Sequence, residues 1–520
     1  MRGSLSNFKG IKPMVAADLL AGNEAQIADN AKITSGQLEA WYNELQTKVL
    51  ESTGTVRTIY LYDDQYWLEW EAAVNIVTAP ISGDTEGKLY YTGDGIPKMT
   101  NLTEATTGSG AMPINFFPLA KPTAKLAATA TLGGGGSGDP RAINYTWTVV
   151  TDWSEEGLPS PASNTVSAMQ GQTVNLTGMT LVWQAATAYN QGDSVFPVGD
   201  ENGTYLYKCV VPGNSGAAEP LGWGTTVDGD TTDGAVTWRC FKNNLKEKRI
   251  YRINTGESYA QYQLVNTIGI GTVGYADSKT DTQLAGAAVL PSENWDYPPD
   301  ELSGLTYMSN GILVGFIGKD LYFSEPYRPW AYPIGYRLSL SSPIVSIISL
   351  GSTIIVTTEK EPYSVTGIDP NSMTPLKMPD PIANVSSRSG VGYTTGAIYA
   401  APNGLYLVDG ARGMLLTKDH YTVDEWSALH PETMHSYIHD HKIFIFYSSG
   451  ADEGGLVFDL ITGQITPLSF YVECAYVDPK TDILYFRKST SETRLLEDGT
   501  GWPTRTGARL LEDGNLRLLE

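Results

Sequence analysis

Between residues 300 and 490 one small unit recurs, two short apolar runs separated by turn residues. Residues 311–317 (GILVGFI) pass through Gly318-Lys319-Asp320 into Leu321-Tyr322-Phe323. Residues 343–350 (PIVSIISL) pass through Gly351-Ser352 into 353–358 (TIIVTT), and 363–367 (YSVTG) offer a further short strand. Residues 396–400 and 405–408 flank Pro402-Asn403-Gly404; 442–447 (KIFIFY) precede 455–460 (GLVFDL); 473–477 (ECAYV) and 483–486 (ILYF) flank Asp478-Pro479-Lys480-Thr481. Paired runs of β-branched and aromatic residues around Asn-Gly, Asp-Gly or Gly-Ser are hairpins, because those residues supply the positive φ of a tight turn.

Several hairpins at a period of roughly 40 residues predict a radial array. The inner strands are apolar on both faces: Ile443 and Ile445 fall on one side, Phe444 and Phe446 on the other. Such a strand suits a blade held between two neighbours better than a sheet with one wet side. The expected fold is therefore all-β, a β-propeller of about six blades in which repetition around an axis protects most sheet edges. A two-sheet sandwich is the structural alternative.

Acidic residues outnumber basic ones 57 to 35, for a formal charge of −22. This balance argues against a protein that grips nucleic acid by its phosphates, which needs a basic face, but not against one past which DNA must slide. Three cysteines make no disulfide framework: Cys209 and Cys240 could pair, and Cys474 lies in an apolar run as a small core residue would. The opening MRGSLSNFKGIKPMV has no continuous apolar stretch, and no run approaches a membrane-spanning length. The expectation is a chain without signal peptide or membrane span, made in a cytoplasm.

Residues 1–55 form an arm with little strand signal. Its helix-like pieces are 16–20 and 37–45, the latter with Ser35 as N-cap. Such an arm is expected to lie along a partner or along its own domain. Residues 56–120, with strand-like stretches at 56–62, 65–70 and 88–95, read as the first part of the propeller, 56 to about 115 forming its first blade, and 296–490 as the remaining blades. The interruption between them opens with 132–140 (LGGGGSGDP), a hinge in composition. Strands follow at 144–151 and near 172–176, and the theme resumes at 248–254 and 262–265. Residues 121–180 and 244–295 together resemble a fibronectin type III-like sandwich.

Nested within it, residues 181–243 are rich in Gly, Asp and Thr around Trp183, Tyr189, Tyr205, Tyr207, Trp223 and Trp238. Trp183, then Tyr189-Asn190-Gln191-Gly192-Asp193, Tyr205, Ser215-Gly216 and Trp238 stand in the order found in small chitin- and cellulose-binding modules, which this segment resembles. The resemblance implies sugar binding by Trp183, Tyr189, Tyr205, Trp223 and Trp238, since flat aromatic faces stack on sugar rings. The competing reading is that a domain this small needs its tryptophans for a core.

Little else carries chemistry. All five histidines fall within residues 420–441, and His435, His439 and His441 could share a region, but His439-Asp440-His441-Lys442 occupies a hairpin turn and reads as solvated; no metal site is expected. Carboxylates such as Asp424 and Glu425, or Glu359 and Glu361, suit an ordinary acidic surface, and no nucleophile elbow, Walker loop or zinc helix occurs, so neither an enzyme nor a cofactor is expected. Gly133–Gly136 lacks the Lys and Ser/Thr of a phosphate loop. In the tail, residues 491–520, Arg494-Leu495-Leu496-Glu497-Asp498-Gly499 recurs at 509–514, and Arg517-Leu518-Leu519-Glu520 follows. Each copy is a minimal strand plus turn, able to add to a neighbouring sheet or to fray. This tail and the N-terminal arm are candidate subunit contacts, because segments without their own core need a partner.

Residues 321–333 (LYFSEPYRPWAYP), 354–367, Ser387-Arg388-Ser389-Gly390-Val391, Asn403-Gly404-Leu405-Tyr406 and Glu425-Trp426 occur in the order seen in the tail nozzle, or stabilisation, proteins of short-tailed bacteriophages, which the chain resembles over roughly 1–20 and 140–490. The resemblance implies a structural virion protein at the distal tail tip, a hexameric ring below the portal-adaptor complex. Its implied partners are other copies of itself, the tail adaptor, tail fibres or spikes, and genome DNA in transit without tight binding; the inserted domains would project sideways toward fibres or host surface glycans. A negative channel wall would keep DNA from sticking. The rival from another class is a virion-attached polysaccharide-binding or depolymerising protein.

Overall fold

The computed structural model describes residues 8–32, 46–81, 83–123, 125–253, 260–394, 396–409, 412–450 and 452–488, with the backbone of 39–40, 45, 254 and 515–519. The chain divides into two compact units, one of residues 1–114, 300–329 and 336–520, the other of 115–299 with 330–335.

The first unit is a β-propeller. Sheet 1 contributes Asn75–Thr78, Leu89–Thr92 and Lys98–Thr100. Sheet 2 runs Ser303–Tyr307, Leu313–Ile317, Asp320–Phe323 and Arg337–Ser339; sheet 3, Ile344–Ser349, Thr353–Thr358, Tyr363–Thr366 and Thr374–Lys377. Sheet 4 runs Val391–Tyr393, Gly396–Ala401, Gly404–Val408 and Gly413–Leu415; sheet 5, His435–His439, Lys442–Ser448, Glu453–Asp459 and Gln464–Leu468. Each of sheets 2 to 5 is an antiparallel meander in sequence order, as hairpins in series require. Sheet 6 differs. Val472–Asp478 and Ile483–Lys488 are joined by Asn515–Leu519 and then by Leu45–Val49, so its outer half comes from both ends of the described chain. A two-stranded hairpin, Thr58–Tyr62 with Tyr66–Trp70, completes the succession.

The opening strands of sheets 1 to 6 pack side by side in order, and the hairpin's first strand packs on that of sheet 6. On the hairpin's other side Trp70 meets Tyr91 of sheet 1, ring centroids 5.4 Å apart. The stretch expected to form one first blade thus holds a hairpin and a separate sheet. The turn at Asp63-Asp64, both with positive φ, closes the hairpin early, and Thr58 Oγ1 fixes the exit by accepting from the Val74 amide and donating to the Ala72 carbonyl.

Apolar contact on both strand faces follows the sequence pattern. Ile443 and Ile445 pack with Ile398, Leu405, Trp426 and Phe458 between sheets 4 and 5; Phe444 and Phe446 pack with Val472, Leu484 and Phe486 between sheets 5 and 6. Sheets 2 and 3 enclose Val314, Phe323, Ile354 and Val356, and Leu50, Val56, Ile59 and Cys474 fill the gap between sheet 6 and the hairpin.

The N-terminal arm lies along its own unit. The amides of Ile11 and Asn30 donate to the carbonyls of Ile465 and Pro467 on the outer strand of sheet 5. The helix expected at 16–20 is a run of turns, and of the helix expected at 37–45 the described part is strand: Glu39–Ala40 pairs with Ala31–Lys32, and Leu45 opens the strand of sheet 6. Strand pairing supplied by distant segments overrides local helix preference there. Ser35 lies outside the described residues, as do the first two copies of the tail repeat.

The second unit is a sandwich of a three-stranded sheet (Thr129–Leu132, Val174–Thr177, Tyr275–Asp277) and a four-stranded sheet (Val166–Gln170, Ser137–Thr151, Leu245–Asn254, Gln263–Gly269). Its core holds Trp147, Tyr145, Ile250, Val265, Leu176 and Met179. The glycine run expected to be a hinge lies inside this sandwich, linking a strand of one sheet to a strand of the other. Gly133 and Gly134 exchange hydrogen bonds with Gln172 and Thr173, and at Gly136, φ +89°, a Cβ would meet that of Gln172 at 2.7 Å. Between Val174–Thr177 and Leu245–Asn254 the chain makes a smaller module with strands Ser194–Val195, Tyr205–Val211, Val236–Lys242 and Asp230–Asp233, and a short pair, Ala188–Tyr189 with Gly213–Asn214.

Candidate functional site

Strand alternation decides what the module's aromatics can do. Along Val236–Lys242 the residues Val236, Trp238 and Cys240 point one way, as do Tyr207 and Cys209 on the paired strand, and together with Trp183 and Tyr189 they form one buried cluster. Trp183, Tyr189 and Trp238 retain 5%, 4% and 0% of their exposure, so they present no face to a sugar ring. The sugar-stacking role expected of these three is corrected to a core role: a domain of this size has few other large apolar groups.

The polar ends of the rings are also committed. Trp183 Nε1 and Trp238 Nε1 both donate to Asp233 Oδ2, at 2.7 and 2.9 Å, while Oδ1 accepts from the Gly216 amide at 2.8 Å. The Tyr189 hydroxyl accepts from the Gln184 amide at 2.8 Å, and its ring meets Trp238 edge-on. Tyr205 and Trp223 are half-buried against the same cluster; Trp223 packs on Tyr207 at 4.4 Å and donates to Glu219 Oε1 at 2.9 Å. Only these two of the five expected residues keep surface for a ligand. Cys209 and Cys240 are free thiols, offset diagonally on paired strands, and burial pushes each up to about 11.

Beside Tyr189 lies a small cleft lined by Lys125, Thr180, Gln184, Thr187 and Ser194. Lys125 Nζ stands 4.0 Å over the Tyr189 ring and 3.4 Å from Asp193. Neither Lys125 nor Asp233 stood out in the sequence. The signal for Asp233 was its place before Gly234, whose positive φ makes the turn into the Trp238 strand.

The sandwich holds its buried charge in hydrogen-bonded groups. Glu156 accepts from the hydroxyls of Thr148 and Tyr251, each at 2.6 Å, and from Arg249 at 2.8 Å. Asp277 accepts from Tyr145 and Arg252 at 2.8 and 2.7 Å, and Arg252 also reaches Asp281 at 3.0 Å. Lys248 donates to the carbonyls of Met179 and Thr272, and burial lowers its pKa to about 8. In the propeller Glu361 accepts from Ser341 and Tyr363, and Glu425 belongs to a capping box with Thr422. These carboxylates are engaged in holding structure.

The histidines are dispersed among separate neighbours. His435 is buried among Tyr437, Phe446 and Tyr471; His439 Nε2 is 2.7 Å from the Asp482 carbonyl; His441 occupies the turn with Asp440; His420 packs on Phe458; His430 meets Glu432. Among the described residues no group of three or more His, Cys, Asp or Glu is placed to hold a metal ion, and no helix is long and apolar enough to cross a membrane.

No family model and no curated protein matches the chain. Among solved structures, dihydro-heme d1 dehydrogenase NirN in complex with DHE is 7% identical over 70% of this chain, which spans 64% of its length, with a TM-score of 0.26. Apo AztD from Citrobacter koseri is 12% identical over 63% of this chain and 95% of its own, TM-score 0.23. Saccharomyces cerevisiae Sqt1 is 8% identical over 95% of this chain and 99% of its own, TM-score 0.25. At such scores these likenesses carry no argument about this chain.

Proposed function

We propose that this chain is a structural virion protein, the tail nozzle of a short-tailed phage, which assembles as a ring at the tail tip and channels genome DNA during ejection. The observation that carries the reading is an interrupted propeller whose motif-bearing segments fall on successive blades. Leu321-Tyr322-Phe323 lies in sheet 2, 354–366 in sheet 3, Asn403 to Tyr406 at a turn of sheet 4, and Glu425-Trp426 in the helix Val423–Ala428 that leads to sheet 5. The insertion of a sandwich with a module nested inside it, between sheets 1 and 2, is the arrangement the resemblance implies. The formal charge of −22 suits a wall that repels phosphates. Function here is assembly and passage, with no covalent step.

Electron microscopy of intact virions beside the purified protein tests the reading. Ring density of about six copies at the tail tip, labelled by antibody to this chain, is the expected result. A spike at another position, or purified protein that degrades capsule or lipopolysaccharide, would replace it with the polysaccharide-directed reading.

A further inference from the structure

The opening strands of the propeller surround its axis, and at the end where they begin one side chain crosses the mouth of the ring. Arg388 stands just before Val391–Tyr393 of sheet 4, and Arg57 just before Thr58–Tyr62 of the hairpin. Around the ring, sheets 5 and 6 lie between them on one side and sheets 3, 2 and 1 on the other, so the two arginines start from nearly opposite walls. Arg388 Nη2 nonetheless donates to the Arg57 carbonyl at 2.6 Å. Its backbone is fixed for this reach: the Ser436 amide donates to the Arg388 carbonyl at 3.1 Å, and Arg388 forms a parallel bridge with His435 at the start of sheet 5. The guanidinium therefore lies over the axis, and among the described residues its Nε and Nη1 meet no acceptor.

Arg249, Arg252 and Arg487 each face a carboxylate, at 2.8, 2.7 and 3.2 Å, whereas among the described residues no carboxylate lies within ion-pair distance of Arg57 or Arg388. In a chain with 57 acidic residues to 35 basic ones, two such arginines at one mouth are unusual. The charges gathered there register on Tyr471, half-buried just before Val472–Asp478 of sheet 6. Burial raises its phenol above the ordinary value; the charges of Arg388 and Arg57 oppose the rise, and those of Glu453 and Glu473 add to it. Glu473 is matched by Arg487, and the exposed Glu453 accepts from Ser448, so positive charge is left over at the mouth. Two guanidinium forks beside a phenol hydroxyl make the donor set that an oxyanion takes up.

We propose that this mouth is an anion site, in which Arg388 and Arg57 hold a small oxyanion, a phosphate or a carboxylate, on the propeller axis. The site stands or falls separately from the tail-tip reading, which invokes no bound ligand.

The test is isothermal titration of the full-length chain with inorganic phosphate and, separately, with citrate, at constant ionic strength maintained by chloride. Saturable binding at one site per chain is expected, and the tighter of the two anions tells phosphate from carboxylate. Arg57→Gln should weaken binding by about tenfold, as the loss of one charge-assisted contact implies. The same variant should leave the thermal melt in chloride unchanged, because the carbonyl that holds Arg388 belongs to the backbone. Arg388→Gln should abolish binding; if that variant does not fold, the Arg57→Gln titration decides alone. Saturation by neither anion, or binding that Arg57→Gln leaves undiminished, would overturn the proposal and reduce Arg388 to a tie that closes the ring.

Discussion

Trp183 and Trp238 share a single acceptor, Oδ2 of Asp233, although they lie far apart in the sequence. One buried carboxylate therefore fixes the rotation of both indoles and, through its other oxygen, the backbone at Gly216. Asp233→Ala leaves two buried indole donors and an amide without partners and should destabilise the module by about 2–4 kcal/mol, while Asp233→Asn, which keeps an acceptor, should recover part of the loss. Denaturant unfolding followed by tryptophan fluorescence measures both. Normal unfolding combined with lost retention on a chitin or cellulose matrix would contradict the core role.

Lys121 and Glu155 form an ion pair at 2.7 Å with each side chain only 2% exposed. Removing one member leaves the other's buried charge without this counter-ion, so Lys121→Met alone should cost about 3–5 kcal/mol, whereas Lys121→Met with Glu155→Leu should recover most of it. A double-mutant cycle read by chemical denaturation decides between this and a simple loss of packing.

Lys248 gives the sandwich an alkaline signature. Its folded pKa, about 8, lies below the ordinary value for lysine because burial disfavours the charge. Between these two values the unfolded chain binds more protons, so stability should rise as pH increases from about 8 toward 10. The rise should be absent in Lys248→Met, and comparing the two proteins by denaturation at several pH values separates this group from the buried tyrosines, which oppose it above pH 10.

His435 acts in the opposite range. Burial holds its pKa well below the usual histidine value, aided by the charge of Arg388. As pH falls through about 6.5 the unfolded chain takes up a proton that the folded one refuses, and the propeller should lose stability. His435→Phe should abolish this acid sensitivity in thermal melts between pH 7 and 5; a melt profile unchanged by the substitution would assign the effect elsewhere.

Strands were legible wherever they were apolar on both faces. The alternation at Ile443 to Phe446 separated the two faces, and each face packs on a different neighbouring sheet, because period-two patterning and burial coincide there. The tight turn at Asp440-His441 was equally visible, both residues having positive φ. What escaped reading was long-range partnership. Leu45 ends the helix expected at 37–45 but opens a strand that pairs with Asn515–Leu519, and Gly133–Gly136 looks like a hinge until Gln172 and Thr173 bind it. In the module, aromatic order was plain but burial was not, since nothing local distinguishes Trp238 in a core from Trp223 at its rim.

Sheet 6 also sets a timetable for biosynthesis. Leu45 leaves the ribosome early and its partner Leu518 very late, so the pairing between them joins residues of high sequence separation and must form after every other sheet has been made. Sheets 2 to 5, each a local meander, can form as they emerge. Until Asn515–Leu519 is in place, Leu45–Val49 and Ile483–Lys488 carry exposed strand edges, the form of polypeptide that chaperones and proteases recognise.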